Sequence, residues 1–109
     1  MATHHFQPSR YYNVIGTAEP VLRVADGDTV IAATIDASGL DANEVRVSPG
    51  PNPMTGPFFI EGAEPGDTLA VRIDRLTPSR GTGWTYSPLA FTVLDPAAIM
   101  ERGVNERSV

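Results

Sequence analysis

Hydrophobic positions along the chain fall in short runs separated by Gly, Pro and Asp. Residues 10–15 hold Tyr11, Tyr12, Val14 and Ile15, a set that suits a short strand. Residues 21–24 form a second short candidate, closed by the turn Ala25-Asp26-Gly27-Asp28. Residues 29–36 follow, with Thr29, Ile31, Ala33 and Ile35 on one face and Val30, Ala32, Thr34 and Asp36 on the other. Both faces are largely apolar, which predicts a central strand covered on both sides. Residues 44–47 are a weaker strand candidate, and residues 58–61 are one with two aromatic anchors, Phe58 and Phe59. Residues 68–76 alternate cleanly, with Leu69, Val71 and Ile73 opposite Thr68, Ala70, Arg72 and Asp74. That pattern predicts a half-buried antiparallel strand. Residues 78–88 read as a long loop carrying Trp84 and Tyr86, which would line a pocket or seal the core. A last strand is expected over 90–94, and Asp95-Pro96 caps a helix of roughly two turns that Gly103 would end.

These elements make the chain mainly β: one domain over residues 1–109, a small barrel or sandwich of about six or seven short, mostly antiparallel strands, with at most one short C-terminal helix. The length allows one hydrophobic core and not two. Ten Gly and ten Pro reinforce the reading of many turns and argue against a helix bundle. They concentrate in residues 48–57, where four Pro and two Gly in ten positions exclude both helix and central strand and favour a defined loop. Gly27-Asp28-Thr29-Val30 leads to Ile35-Asp36, and Gly66-Asp67-Thr68-Leu69 leads to Ile73-Asp74. Two copies do not make a repeat architecture, and reused turn chemistry is the simpler reading.

Charge narrows the partners. Thirteen acidic residues against eight basic ones, all Arg, give a net charge of −5. Such a chain has no basic footprint for nucleic acid or an anionic membrane surface. No apolar run is long enough to span a bilayer, and the first residues carry no apolar signal segment, so a cytoplasmic location is expected. The absence of Cys removes disulfides, thiolate zinc sites, a Cys nucleophile and the blue-copper centre of a cupredoxin-like carrier.

Candidate chemistry is therefore carried by carboxylates and two adjacent histidines. Glu61 ends an apolar strand directly after the Pro-rich loop. There it either points to water or is partly desolvated, as a general base or metal ligand would be. Asp36 has the same two readings, since Asp commonly ends a strand and opens a loop. Asp28 and Asp67 read as turn-shaping residues and Glu64 as a solvated one. His4 and His5 sit near a terminus, where they are exposed or join two carboxylates around a metal; zinc accepts that ligand mix.

Residues 50–73 carry a longer pattern. Thr55-Gly56-Pro57 and Ile60-Glu61-Gly62-Ala63-Glu64-Pro65-Gly66-Asp67-Thr68-Leu69 resemble the signature G-P-x-x-T-G-P-hydrophobic-x-(V/I)-E-G-A-x-P-G-D-x-L of the acetamidase/formamidase family. Upstream, Pro20-Val21-Leu22-Arg23-Val24 and Gly27-Asp28-Thr29-Val30 resemble the family's early segment, and Asp36 falls where the family has an acidic residue. The resemblance covers most of residues 4–95. It implies a hydrolase acting on the C–N bond of short linear amides such as formamide and acetamide, releasing carboxylate and ammonia. It also implies a metal-associated site, zinc first among the candidates. Under it Glu61 and Asp36 become catalytic or ligand candidates, joined by one N-terminal His, His5 ahead of His4. Thr55 and Asn52 become hydrogen-bond donors on a rigid loop wall.

Family chains are several-fold longer and carry further active-site residues beyond the matching part. That leaves a truncated chain, a short paralogue or one chain of an assembly, with a homo-oligomer or completion by another chain expected. The alternative to an amidase is a noncatalytic β module of the same family serving in binding or assembly.

Overall fold

The computed structural model describes residues 1–86 and 107–108. Two compact units divide the chain, residues 1–76 and 77–109. In the first, β1 (Thr3–Phe6) pairs with β3 (Thr29–Ala32), and β2 (Leu22–Val24) pairs with β4 (Phe58–Ile60). Both pairs are parallel, with Thr3 opposite Thr29 and Leu22 opposite Phe58. In the second unit, β5 (Thr85–Tyr86) and β6 (Arg107–Ser108) form a short antiparallel pair.

Proline sets where these strands begin and end. Pro8 follows β1 by one residue and has no N–H to extend the ladder, so β3 loses its partner after Ala32. Pro20 precedes β2 and Pro57 directly precedes β4, and the Val21 N–H donates to the Pro57 carbonyl at 2.9 Å, which locks the start of that pair. Phe6 of β1 meets Phe58 of β4 edge to face, with centroids 5.5 Å apart and planes at 87°. Val24 is the buried hydrophobic residue among those described, so the core is a thin contact between the two strand pairs.

Several expectations are corrected. The strands are mainly parallel among the described residues, not antiparallel, because each links segments separated by the long connections 7–28 and 25–57. No closed barrel or sandwich forms among them: the ladders stop in separate two-stranded pairs at Pro and Gly. Residues 29–36 are an edge strand ending at Ala32 with Ile31 half exposed, not a central strand. Residues 10–15 reduce to a bridge between Tyr12 and Met54, and residues 44–47 to a bridge between Leu40 and Arg46. Residues 68–76 belong to no strand among the described residues. The expected strand over 90–94 and the helix after Asp95 lie outside the described residues. Among the described residues no helix is long and apolar enough to cross a membrane.

The reused Gly-Asp chemistry is real and local. In Ala25-Asp26-Gly27-Asp28 the Asp28 N–H donates to the Ala25 carbonyl at 3.1 Å, and the Asp28 carboxylate accepts from the Ala25 N–H at 3.0 Å. Glu64-Pro65-Gly66-Asp67 repeats both bonds at 3.0 and 2.9 Å. The third residue has positive φ in each, +83° at Gly27 and +96° at Gly66, which is why glycine stands there.

A second duplication lies between β3 and the Pro-rich loop. Asp36-Ala37-Ser38-Gly39-Leu40 and Asp41-Ala42-Asn43-Glu44-Val45 fold identically. In each, the aspartate Oδ1 accepts the N–H groups two and four residues ahead, at 2.9 to 3.0 Å. The fourth residue donates its N–H back to the aspartate carbonyl, and the aspartate N–H donates to the carbonyl of the fifth. This is a three-residue hairpin loop with a left-handed fourth position. Gly39 fills that position in the first copy, at φ +86°, but Glu44 fills it in the second, at φ 60°. An L-residue other than Asn or Asp pays about 1 kcal/mol there. Glu44→Asn is therefore expected to raise the urea midpoint by the equivalent of about 0.5–1 kcal/mol. An unchanged or lower midpoint would show that Glu44 is not under backbone strain.

Candidate functional site

The Pro-rich loop is held by its neighbours on both sides. The Asn52 N–H donates to the Ala37 carbonyl at 2.7 Å, which fastens the loop to the Asp36 turn. The Asn13 side-chain amide donates to the Pro49 and Pro51 carbonyls at 3.0 and 2.9 Å. Further on, Tyr12 and Met54 exchange backbone hydrogen bonds at 3.2 and 2.8 Å. The Gly50-Pro51 and Gly56-Pro57 peptides are cis.

This bracing leaves a groove of about 170 Å³ between the loop and the segment after Tyr12. Tyr12, Val14, Ile15 and Met54 give it apolar walls, and Thr55, Gly56 and Pro57 close one side. It is smaller than the sites that take drug-sized ligands, which run to several hundred Å³. A molecule of a few heavy atoms suits it, and Thr55 offers it a hydroxyl. Thr55 is among the residues that line this groove. Asn52 is instead exposed, with its backbone at φ 51° committed to the Asp36 turn.

Glu61 stands at the far end of β4, about 13 Å along the strand from Pro57. Its N–H donates to the Val24 carbonyl at 2.8 Å, which places its side chain beside β2. Arg23 lies there, with Nε 3.6 Å from the Glu61 carboxylate and its guanidinium 4.0 Å above the Phe59 ring centroid. Half of the Glu61 side chain is open to water (52%), so this is a surface ion pair and not a desolvated carboxylate. Asp36 is half-buried and its Oδ1 serves the turn.

The most buried side-chain contact to a carboxylate among the described residues involves a residue the sequence assigned to a turn. Asp28 accepts from the Ala2 N–H at 2.7 Å and the Ala25 N–H at 3.0 Å, and its Oδ2 lies 2.8 Å from Nε2 of His4. Its side chain is 8% exposed. The hydrogen bond to His4, and then those from the two backbone amides, hold this carboxyl well below the usual carboxylate range. The β1–β3 register explains which histidine is used. His4 is opposite Val30 on the half-buried side, while the alternation turns His5 outward opposite exposed Ile31. This pairing was hidden because it depends on β1 lying parallel to a strand far along the chain.

A pH dependence follows. Folding favours the ionised Asp28, so its contribution is fully present above the ordinary Asp value of about 3.9 and is lost as pH falls through the depressed one. Asp28→Asn should flatten the stability–pH curve below about pH 5, measured by urea titration at successive pH values. A variant curve parallel to the parent's down to about pH 2 would remove Asp28 from the acid response.

The sequence matches the Acetamidase/Formamidase family over residues 8–97, which takes in the loop, the groove and Glu61. The chain belongs to this family. A curated protein of Schizosaccharomyces pombe, "Putative formamidase C869.04", is 50% identical over 34 residues. That stretch is 31% of this chain and 8% of the yeast protein, so the match spans a small part of that relative's length. No solved structure matches.

The resemblance to the family raised a metal, with Asp36, Glu61 and His5 as ligands. Among the described residues no three His, Asp or Glu side chains converge into a ligand set. Asp36 Oδ1 faces its own turn, Glu61 faces Arg23, and His5 is exposed on β1. These residues do not fit a metal as they stand.

Proposed function

We propose that this chain supplies part of a hydrolase that cleaves the C–N bond of short linear amides of the formamide and acetamide type. The family match over residues 8–97 carries this reading. The small groove beside Thr55 supports it, because an amide of three or four heavy atoms presents one carbonyl, one amino group and little else to recognise.

In this reading Glu61 acts as the general base, taking a proton from water as the oxygen adds to the carbonyl carbon. The tetrahedral oxyanion needs a donor at that moment. The Thr55 hydroxyl is out of reach in this arrangement, because the groove lies about 13 Å along β4 from Glu61. Base and groove act on one amide only in an arrangement that brings them together. Collapse of the intermediate breaks the C–N bond, the nitrogen takes up a proton, and carboxylate and ammonia leave. Asp36 is the second candidate carboxylate, positioned on the turn that anchors the loop.

The test is ammonia release from formamide and acetamide by the purified chain and by Glu61→Gln, each first shown to be folded. Turnover that falls by about 100-fold or more in the variant supports the base assignment. Full turnover in the variant overturns it. A folded chain that releases no ammonia overturns hydrolysis by this chain alone.

A further inference from the structure

Residues 68–76 carry the best strand pattern in the chain, yet no strand or bridge among the described residues includes them. Their apolar row is open to water: Leu69 is 55% exposed, Val71 84% and Ile73 74%. On the opposite row Arg72 pairs with Asp74 of the same chain, so that face is close to charge-neutral. An apolar alternating segment without a ladder is a template for another strand.

We propose that residues 68–76 pair with the same segment of a second copy of this chain, as antiparallel strands centred on Val71. A two-fold axis between identical strands allows only registers in which one residue faces itself, and the sequence chooses among them. Centring on Arg72 opposes two guanidinium groups, which is unfavourable. Centring on Ile73 sets Val71 against Arg75 and Leu69 against Thr77, which breaks the apolar row. Centring on Ala70 sets Ile73 against Asp67.

Centring on Val71 sets Val71 on Val71 and Leu69 on Ile73 twice, joining six apolar side chains into one row. The other face then opposes Thr68 to Asp74 and Ala70 to Arg72, while at each end of the apolar row Asp67 of one copy stands level with Arg75 of the other. No like charges meet directly in this register. Apolar row and charge pattern are complementary to themselves, which is what an isologous interface requires.

Sedimentation of the full chain over a range of concentrations tests the pairing. A concentration-dependent dimer is expected. Val71→Asp and Val71→Arg should each weaken it by about tenfold or more, since each places like charges face to face at the axis. An equimolar mixture of the two should restore association, which only a register that opposes position 71 to itself explains. At 84% exposure neither substitution should move the thermal midpoint of the monomer.

A chain monomeric at every concentration overturns the proposal. So does a dimer untouched by either variant, and a mixture that fails to reassociate overturns the register. Amide exchange across residues 68–76 is measured in parallel: protection in a monomer assigns the pairing to the chain's own segments, again overturning the dimer.

Discussion

Gly39→Ala is expected to destabilise the first unit by about 3 kcal/mol or more. Two independent costs meet at this residue. Its backbone is left-handed, at φ +86°, where a side chain is disfavoured. A Cβ added there would also fall inside the van der Waals envelope of the Ser48 carbonyl oxygen, with the Ser48 carbonyl carbon 2.9 Å away. Both obstructing atoms are backbone, so no side-chain rotation relieves the clash. The Val47 N–H donates to the Gly39 carbonyl at 2.9 Å from the same side, so retreat of residues 47–48 breaks that hydrogen bond.

The control is Gly16→Ala, at a glycine without positive φ where an added Cβ would meet no atom within 4 Å. That change should be neutral or stabilising by a few tenths of a kcal/mol. Urea midpoints of the two variants decide the matter. A Gly39→Ala loss no larger than that of Gly16→Ala would mean that the Asp36 turn and the Pro-rich loop are not in contact. The same variant should also weaken any activity that uses Thr55, because the loop carrying it starts at the obstructed carbonyl.

What the sequence made legible was local. Strands beginning just after Pro20 and Pro57, and turns closed by Gly27-Asp28 and Gly66-Asp67, need only neighbours a few residues away. The Pro-rich stretch was readable as a defined loop for the same reason. Pairing was not readable, because a parallel ladder depends on partners brought together over long connections. Nothing in Thr3-His4-His5-Phe6 announces a strand until Thr29–Ala32 lies beside it. Residues 68–76 show the converse: alternation says which side would be buried, not whether a partner is present to bury it. The family signature singled out Thr55, which lines the groove, while the groove's other wall, Tyr12 to Ile15, was read as strand. The Asp28–His4 contact escaped for want of the β1–β3 register.

Asp36→Ala should lower stability by about 2 kcal/mol, whereas Asp36→Asn should leave the fold nearly unchanged. The half-buried carboxylate accepts from the Ser38 and Leu40 amides, both at 2.9 Å. Alanine leaves those donors without that acceptor, while the Asn carbonyl oxygen can take the same position. This separation matters because Asp36 is also a candidate for catalysis, and a loss of activity in an unstable variant says nothing about chemistry. The chain supplies its own control five residues later. Asp41 makes the same turn with Asn43 and Val45, at 2.9 and 3.0 Å, and no signature assigns it a role. If Asp36 takes part in hydrolysis, Asp36→Asn loses turnover at full stability while Asp41→Asn keeps both. If the two Asn variants are equally active, Asp36 is a turn residue, and the catalytic assignment rests on Glu61 alone.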